Sequence, residues 1–140
     1  MLCHNFAQLG QLVIVDNPQF RLIKSLTPGP YTFILKGTKE VPRMTLNPKK
    51  NTVGVRIPDH VITQAFLAEL GAPILSSTLI LPGEEEPMSE GWLVDDEIGH
   101  SLDLVVDGPV GGTDATTVID FSSGGLEIVR HGAGNTEMFE

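Results

Sequence analysis

Six side chains on predicted strands carry the chemistry this sequence offers: Thr52, Arg56, Ser76, Thr78, Thr116 and Arg130. Four hydroxyls and two guanidinium groups make a set of donors for anions, with no protein nucleophile evident among them. Such a set suits chemistry done by positioning and charge stabilisation, as in nucleotidyl or phosphoryl transfer. Two of the six share the stretch Thr52-Val53-Gly54-Val55-Arg56-Ile57-Pro58. Its period-2 alternation puts Val53, Val55 and Ile57 on one strand face and Thr52, Gly54 and Arg56 on the other. Arginine binds a carboxylate or phosphate in a bidentate fork, and glycine lets a ligand approach the main chain closely. The same pattern also fits an edge strand whose Arg56 reaches out to solvent.

Other chemistries find less support. Ser76-Ser77-Thr78 lacks the G-x-S-x-G frame of a nucleophile elbow, and mid-strand hydroxyls are commonly satisfied by neighbouring backbone. The glycine-rich run from Gly108 to Thr113 lacks the Lys-Ser/Thr ending of a phosphate loop and reads as a turn. Asp95, Asp96 and Glu97 are adjacent on a predicted helix, so they point to different faces. His4, His60, His100 and His131 lie far apart and make no zinc spacing with Cys3. No catalytic residue and no metal ligand is assigned.

The elements that must position these groups can be read in order. With 140 residues, 41% hydrophobic and 19% charged, the chain suits one domain with a real core. It has neither an apolar run of membrane-spanning length nor a signal-peptide pattern, and its single Cys3 fits a reducing cytoplasm. Net charge is −9, unevenly placed. Residues 1–56 hold eight of the nine Lys/Arg against Asp16 and Glu40, whereas residues 57–140 hold Arg130 against sixteen acids. Overall acidity disfavours a generic nucleic-acid binder, while the basic first part leaves room for a local phosphate patch.

Strands are expected at Leu12–Asp16, Tyr31–Lys36, Thr52–Pro58, Pro73–Leu81, Asp103–Val106, Thr116–Phe121 and Leu126–Arg130. Helices are expected at Phe20–Leu26, at His60–Leu70 capped by Asp59 and stopped by Gly71, and around Ser89–Ile98. The fold class is therefore α/β (mixed α+β), a twisted mixed sheet with short helices packed on it. The chain enters its first apolar run after only about ten weakly patterned residues, with no element available before it.

Five stretches occur together in one order: Pro28-Gly29-Pro30-Tyr31-Thr32-Phe33-Ile34-Leu35; Thr52 to Pro58; Leu75-Ser76-Ser77-Thr78-Leu79-Ile80-Leu81-Pro82-Gly83; Thr116-Thr117-Val118-Ile119-Asp120; and Ile128-Val129-Arg130-His131-Gly132. In this order the sequence resembles the YrdC/YciO-like domain family, the threonylcarbamoyl-AMP synthases and their relatives, and is closest to the YciO-type branch. The resemblance covers nearly all of the chain. It implies an open, positively charged cavity in which L-threonine, bicarbonate and ATP with Mg²⁺ give threonylcarbamoyl-AMP and pyrophosphate, on the way to a modified tRNA adenosine. By motif, Arg56, Ser76 and Thr116 correspond to threonine contacts, and Thr52, Thr78 and Arg130 to ATP contacts. The family is also associated with double-stranded RNA, so an RNA- or tRNA-binding module without catalysis is the alternative function.

Two departures qualify what the resemblance implies. Where the synthases carry Ser-Ala-Asn, this chain reads Thr78-Leu79-Ile80, replacing an amide that could hydrogen-bond nucleotide by an apolar side chain. The family's first third, with its Pro-Thr-Asp/Glu-Thr-like and Lys-x-Arg-type motifs, has no counterpart here. The expectation is a single domain over residues 1–140, incomplete at its N-terminus and with impaired catalysis. An uncovered sheet edge would then be a route to a homodimer.

Overall fold

The computed structural model describes residues 1–110 and 114–139. Gly111, Gly112 and Thr113, the end of the glycine-rich run read as a turn, lie outside the described residues, as does Glu140. The chain divides into two compact units, Met1–Leu75 with Asp114–Glu140, and Ser76–Thr113.

The first unit is built on a four-stranded mixed sheet in the order β2-β1-β3-β4. Its strands are β1 (Tyr31–Lys36), β2 (Thr52–Val55), β3 (Thr117–Asp120) and β4 (Glu127–Arg130). β1 runs antiparallel to β2 and parallel to β3, and β4 returns antiparallel to β3. The apolar alternation of β1 sets the buried side: Tyr31, Phe33 and Leu35 pack with Val53, Val55, Ile57, Ile119 and Phe121. Two helices complete this core, α1 (Phe6–Leu12) through Leu9 and Leu12, and α2 (Asn17–Leu26) through Ile23 and Leu26.

The N-terminal region differs from the expectation of a strand at Leu12–Asp16. Asn5 caps α1 by accepting from the Gln8 amide at 3.1 Å, and Phe6, Leu9, Leu12 and Val13 follow helical spacing. Leu12 ends that helix, Val13 makes one isolated bridge to Gly37, and Ile14 is 62% exposed. The run cannot lengthen into a strand because Asp16 opens α2. Its Oδ1 accepts from Gln19 N at 2.8 Å while Gln19 Oε1 accepts from Asp16 N at 3.1 Å.

α3 (Val61–Leu70) forms where expected and ends on Gly71 at φ +69°, a left-handed position suited to glycine. Its cap, however, is His60 rather than Asp59: His60 Nδ1 accepts from the Thr63 amide at 3.3 Å. His60 is the residue with the extended cap geometry immediately before the helix, and Asp59 sits one position too early. The apolar stripe is also less buried than its spacing suggests, with only Leu67 inside and Phe66 46% exposed.

In the second unit, α4 (Gly91–Ile98) lies within the expected helix. Two expected strands are absent from it. Ile74, just before this unit, bridges Leu2 by paired bonds of 2.7 and 3.0 Å, but Ser76–Leu81 has no ladder, and neither has Asp103–Val106. β-branched and apolar content prepares an extended chain, yet a strand needs a partner beside it, and no described strand pairs with either segment. No helix among the described residues is long and apolar enough to cross a membrane.

Candidate functional site

The sheet face opposite the apolar row of β1 collects most of the predicted site. Register pairs Lys36 with Thr52, Ile34 with Gly54 and with Asp120, Thr32 with Val118, and Val118 with Arg130. Cross-strand partners share a face, so Thr52, Gly54, Thr32 and Arg130 lie on one side of the sheet. Arg56 continues the parity of β2, and Thr116 that of β3. Four of the six predicted residues therefore share one surface.

Three side chains on it form a connected network. The hydroxyls of Thr32 and Thr116 are 2.8 Å apart. Arg130 Nε donates to the Thr116 carbonyl oxygen at 2.9 Å, and its Nη2 donates to Thr116 Oγ1 at 3.0 Å. Two donors on one residue hold the exposed guanidinium in place, with its remaining N–H groups available to an anion. The following turn supports Thr116 from behind. Buried Thr117 accepts from Gly132 N at 3.0 Å and donates from Oγ1 to Gly134 O at 2.7 Å, and Ala133 N donates to Ala115 O at 2.9 Å. Gly132 is required there, because a Cβ would stand 2.5 Å from the Thr116 carbonyl oxygen and closer still to that of Ala115.

Arg56 is held differently. Its backbone bonds to the N-terminal segment, from Arg56 N to Met1 O at 3.0 Å and from Cys3 N to Arg56 O at 2.8 Å. Its Nε is buried and has no hydrogen-bond partner. Burial pulls the Arg56 guanidinium below the ordinary arginine pKa, and burial likewise pushes the neighbouring Cys3 thiol up to about 11. A buried donor without an acceptor costs about 1–3 kcal/mol, so an arriving carboxylate or phosphate oxygen would recover that cost.

The remaining predicted residues are not members of this hydrogen-bond network. Thr52 lies on the same face but is buried at its far end, opposite Lys36. Ser76 and Thr78 are exposed in the second unit. Thr32 was not among the predicted site residues, although its parity opposite Tyr31, Phe33 and Leu35 was a legible signal. Among the described residues, no group of three or more His, Cys, Asp or Glu is placed to hold a metal ion.

Fold and face together define a mixed α/β domain that presents hydroxyl and guanidinium donors from one side of an open sheet. Comparison with known proteins agrees with that class. The Sua5/YciO/YrdC family model, described as "Telomere recombination", matches residues 1–132, and the chain belongs to this family. It is 44% identical over 139 residues to YciO of Escherichia coli, covering 99% of this chain and 68% of that protein. The crystal structure of E. coli YciO superposes over 99% of the chain with a TM-score of 0.91. Threonylcarbamoyl-AMP synthase of Bos taurus is 31% identical over 119 residues, 79% of this chain and 42% of the bovine protein. P. abyssi Sua5 crystallised with L-threonine is 25% identical, with a TM-score of 0.83 over 94% of this chain and 38% of that one.

Proposed function

We propose that the sheet face carrying Arg56, Thr116 and Arg130 binds a small hydroxy amino acid, L-threonine, through its carboxylate, and ATP with Mg²⁺ through its phosphates. The reaction class is formation of threonylcarbamoyl-AMP and pyrophosphate from threonine, bicarbonate and ATP. The observation that carries this reading is the buried, unpartnered Nε of Arg56, on the same face as the Thr32–Thr116–Arg130 network. A guanidinium with a spare buried donor suits a carboxylate, and a second guanidinium offsets phosphate charge as it builds on a leaving pyrophosphate. Mg²⁺ would arrive as the counter-ion of the nucleotide phosphates. With Ile80 where the synthases carry an amide, ATP is held more weakly than threonine, and turnover is attenuated.

L-threonine bound to the related P. abyssi Sua5 and 31% identity to a synthase support this reading, although the P. abyssi protein is similar over only part of its length. Isothermal titration with L-threonine and with ATP·Mg²⁺ tests it. Arg56→Ala is expected to weaken threonine binding by about tenfold or more, the size of a lost charged hydrogen bond, and Arg130→Ala to act chiefly on ATP. Absence of any heat with the wild-type chain would overturn it. Duplex RNA has no specific observation in its favour: the exposed Lys39, Arg43, Lys49 and Lys50 belong to the connection between β1 and β2.

A further inference from the structure

The unit Ser76–Thr113 contains no buried residue among those described, yet it is rich in large apolar side chains. Leu104 is 75% and Trp92 60% exposed, and Leu102, Val106 and Val110 are exposed beside them in the sequence. These are not scattered singly. Met88, Val94, Leu102, Leu104, Val106 and Val110 line one concave groove of about 250 Å³. A second hollow shares Leu102 and Leu104 and is flanked by Trp92, Asp95, Asp103 and Asp107. A contiguous apolar groove rimmed by polar groups marks an interaction surface.

Charge specifies the occupant. Residues 76–110 hold nine acids and no Lys or Arg. Nucleic acid and anionic lipid surfaces are repelled by that field, and a second copy docking through the same patch would set nine acids against nine. We propose that this groove docks a basic amphipathic polypeptide segment. Its apolar side chains seat among Leu102, Leu104 and Val106, and its Lys or Arg residues meet the acidic rim. This inference stands on the second unit alone and is independent of the anion site.

Trp92, the sole tryptophan, is the reporter. The full chain is titrated with an amphipathic Leu/Lys helical peptide of about 14 residues, roughly 21 Å long, and with Leu/Glu and Ser/Lys peptides of the same pattern. The Leu/Lys peptide is expected to give a saturable blue shift of Trp92 emission that weakens as salt rises. The other two are expected to give none. Leu104→Ser and Val106→Ser leave the charge unchanged at exposed positions and are expected to weaken binding by about tenfold, a loss of about 1.4 kcal/mol. Hydrogen exchange on the wild-type chain should place peptide-dependent protection within residues 102–110, which guards against a variant that fails to fold. Equal binding of the Ser/Lys peptide, unchanged binding by both variants, or protection elsewhere overturns the proposal. So does a blue shift that grows with protein concentration in the absence of peptide, which would assign the groove to a second copy.

Discussion

Arg56 and Arg130 bring the same group to one sheet face under opposite constraints. Arg130 commits two donors to Thr116, whereas Arg56 keeps a buried Nε without an acceptor. Substitution should separate them. Arg56→Lys keeps the charge but removes the planar fork and the Nε, so threonine affinity is expected to fall by about tenfold while the thermal midpoint holds or rises. A midpoint fall of many degrees would instead mean that Arg56 is a structural residue. Thr116→Val removes the hydroxyl that accepts from Arg130 and contacts Thr32, and should cost about 1 kcal/mol in urea unfolding. Cys3 supplies a pH test. Its thiol has a pKa of about 11 in the folded chain against an ordinary 9.0, because burial disfavours the thiolate. The unfolded chain therefore ionises first, and stability is lost as pH rises from 9 toward 11. Urea midpoints across that range should fall more steeply for wild type than for Cys3→Ala; equal slopes would remove Cys3 as the cause. Alternation alone placed Thr52 and Arg56 on the polar parity of their strand. It passed over Thr32 because β1 reads first as a core strand, and the hydroxyl contact with Thr116 shows what the other face of β1 does.

At the scale of elements, local rules succeeded where the signal is local. Tyr31–Lys36 is a strand at its expected limits, and Gly71 stops α3, because β propensity and a left-handed cap are properties of a few adjacent residues. They failed at Leu12–Asp16, at Pro73–Leu81 beyond the bridge at Ile74, and at Asp103–Val106, where strand identity depends on a neighbour that the sequence of the segment does not contain. The N-terminal case was still legible, since Asn5 and the 6, 9, 12 and 13 spacing mark a helix. Two substitutions probe the elements that hold the site. Asp16→Ala removes the Oδ1 that accepts from the Gln19 amide, while the backbone N–H of residue 16 can still donate to Gln19 Oε1, and should lower stability by about 1 kcal/mol, or roughly 3–5 °C in thermal midpoint. Gly132→Ala acts through backbone rather than a flexible side chain, so the turn behind Thr116 must move. A larger loss, about 2 kcal/mol, is expected, together with weaker ATP binding because the partner of Arg130 shifts. Unchanged ATP binding in a folded Gly132→Ala protein would disconnect the turn from the anion face.

For the molecule as a whole, burial is the quantity that separates its parts. Phe33, Val55 and Ile119 of the sheet are fully buried, and each strand of that sheet is hydrogen-bonded to its neighbour. Residues 76–110 have α4, a short 3-10 turn at Gly99–Ser101, no ladder among the described residues, and no fully buried residue. Opening of a segment costs free energy in proportion to the apolar contacts and hydrogen bonds it must break, so these two parts are expected to differ in opening energy. Composition concealed this division, because residues 76–110 still hold thirteen Val, Leu, Ile, Met and Trp residues. Exposure of Leu102, Leu104 and Val106 is visible only in three dimensions. Native-state hydrogen exchange should show amides of β1 and β3 protected to near the global unfolding limit, and those of residues 76–90 and 101–110 exchanging orders of magnitude faster. α4 should fall between them, since its amides are hydrogen-bonded but its Trp92 face is open. Uniform protection across all three would mean that the second unit opens only with the sheet. Its apolar groove would then be fixed in the free protein rather than ordered when its partner arrives.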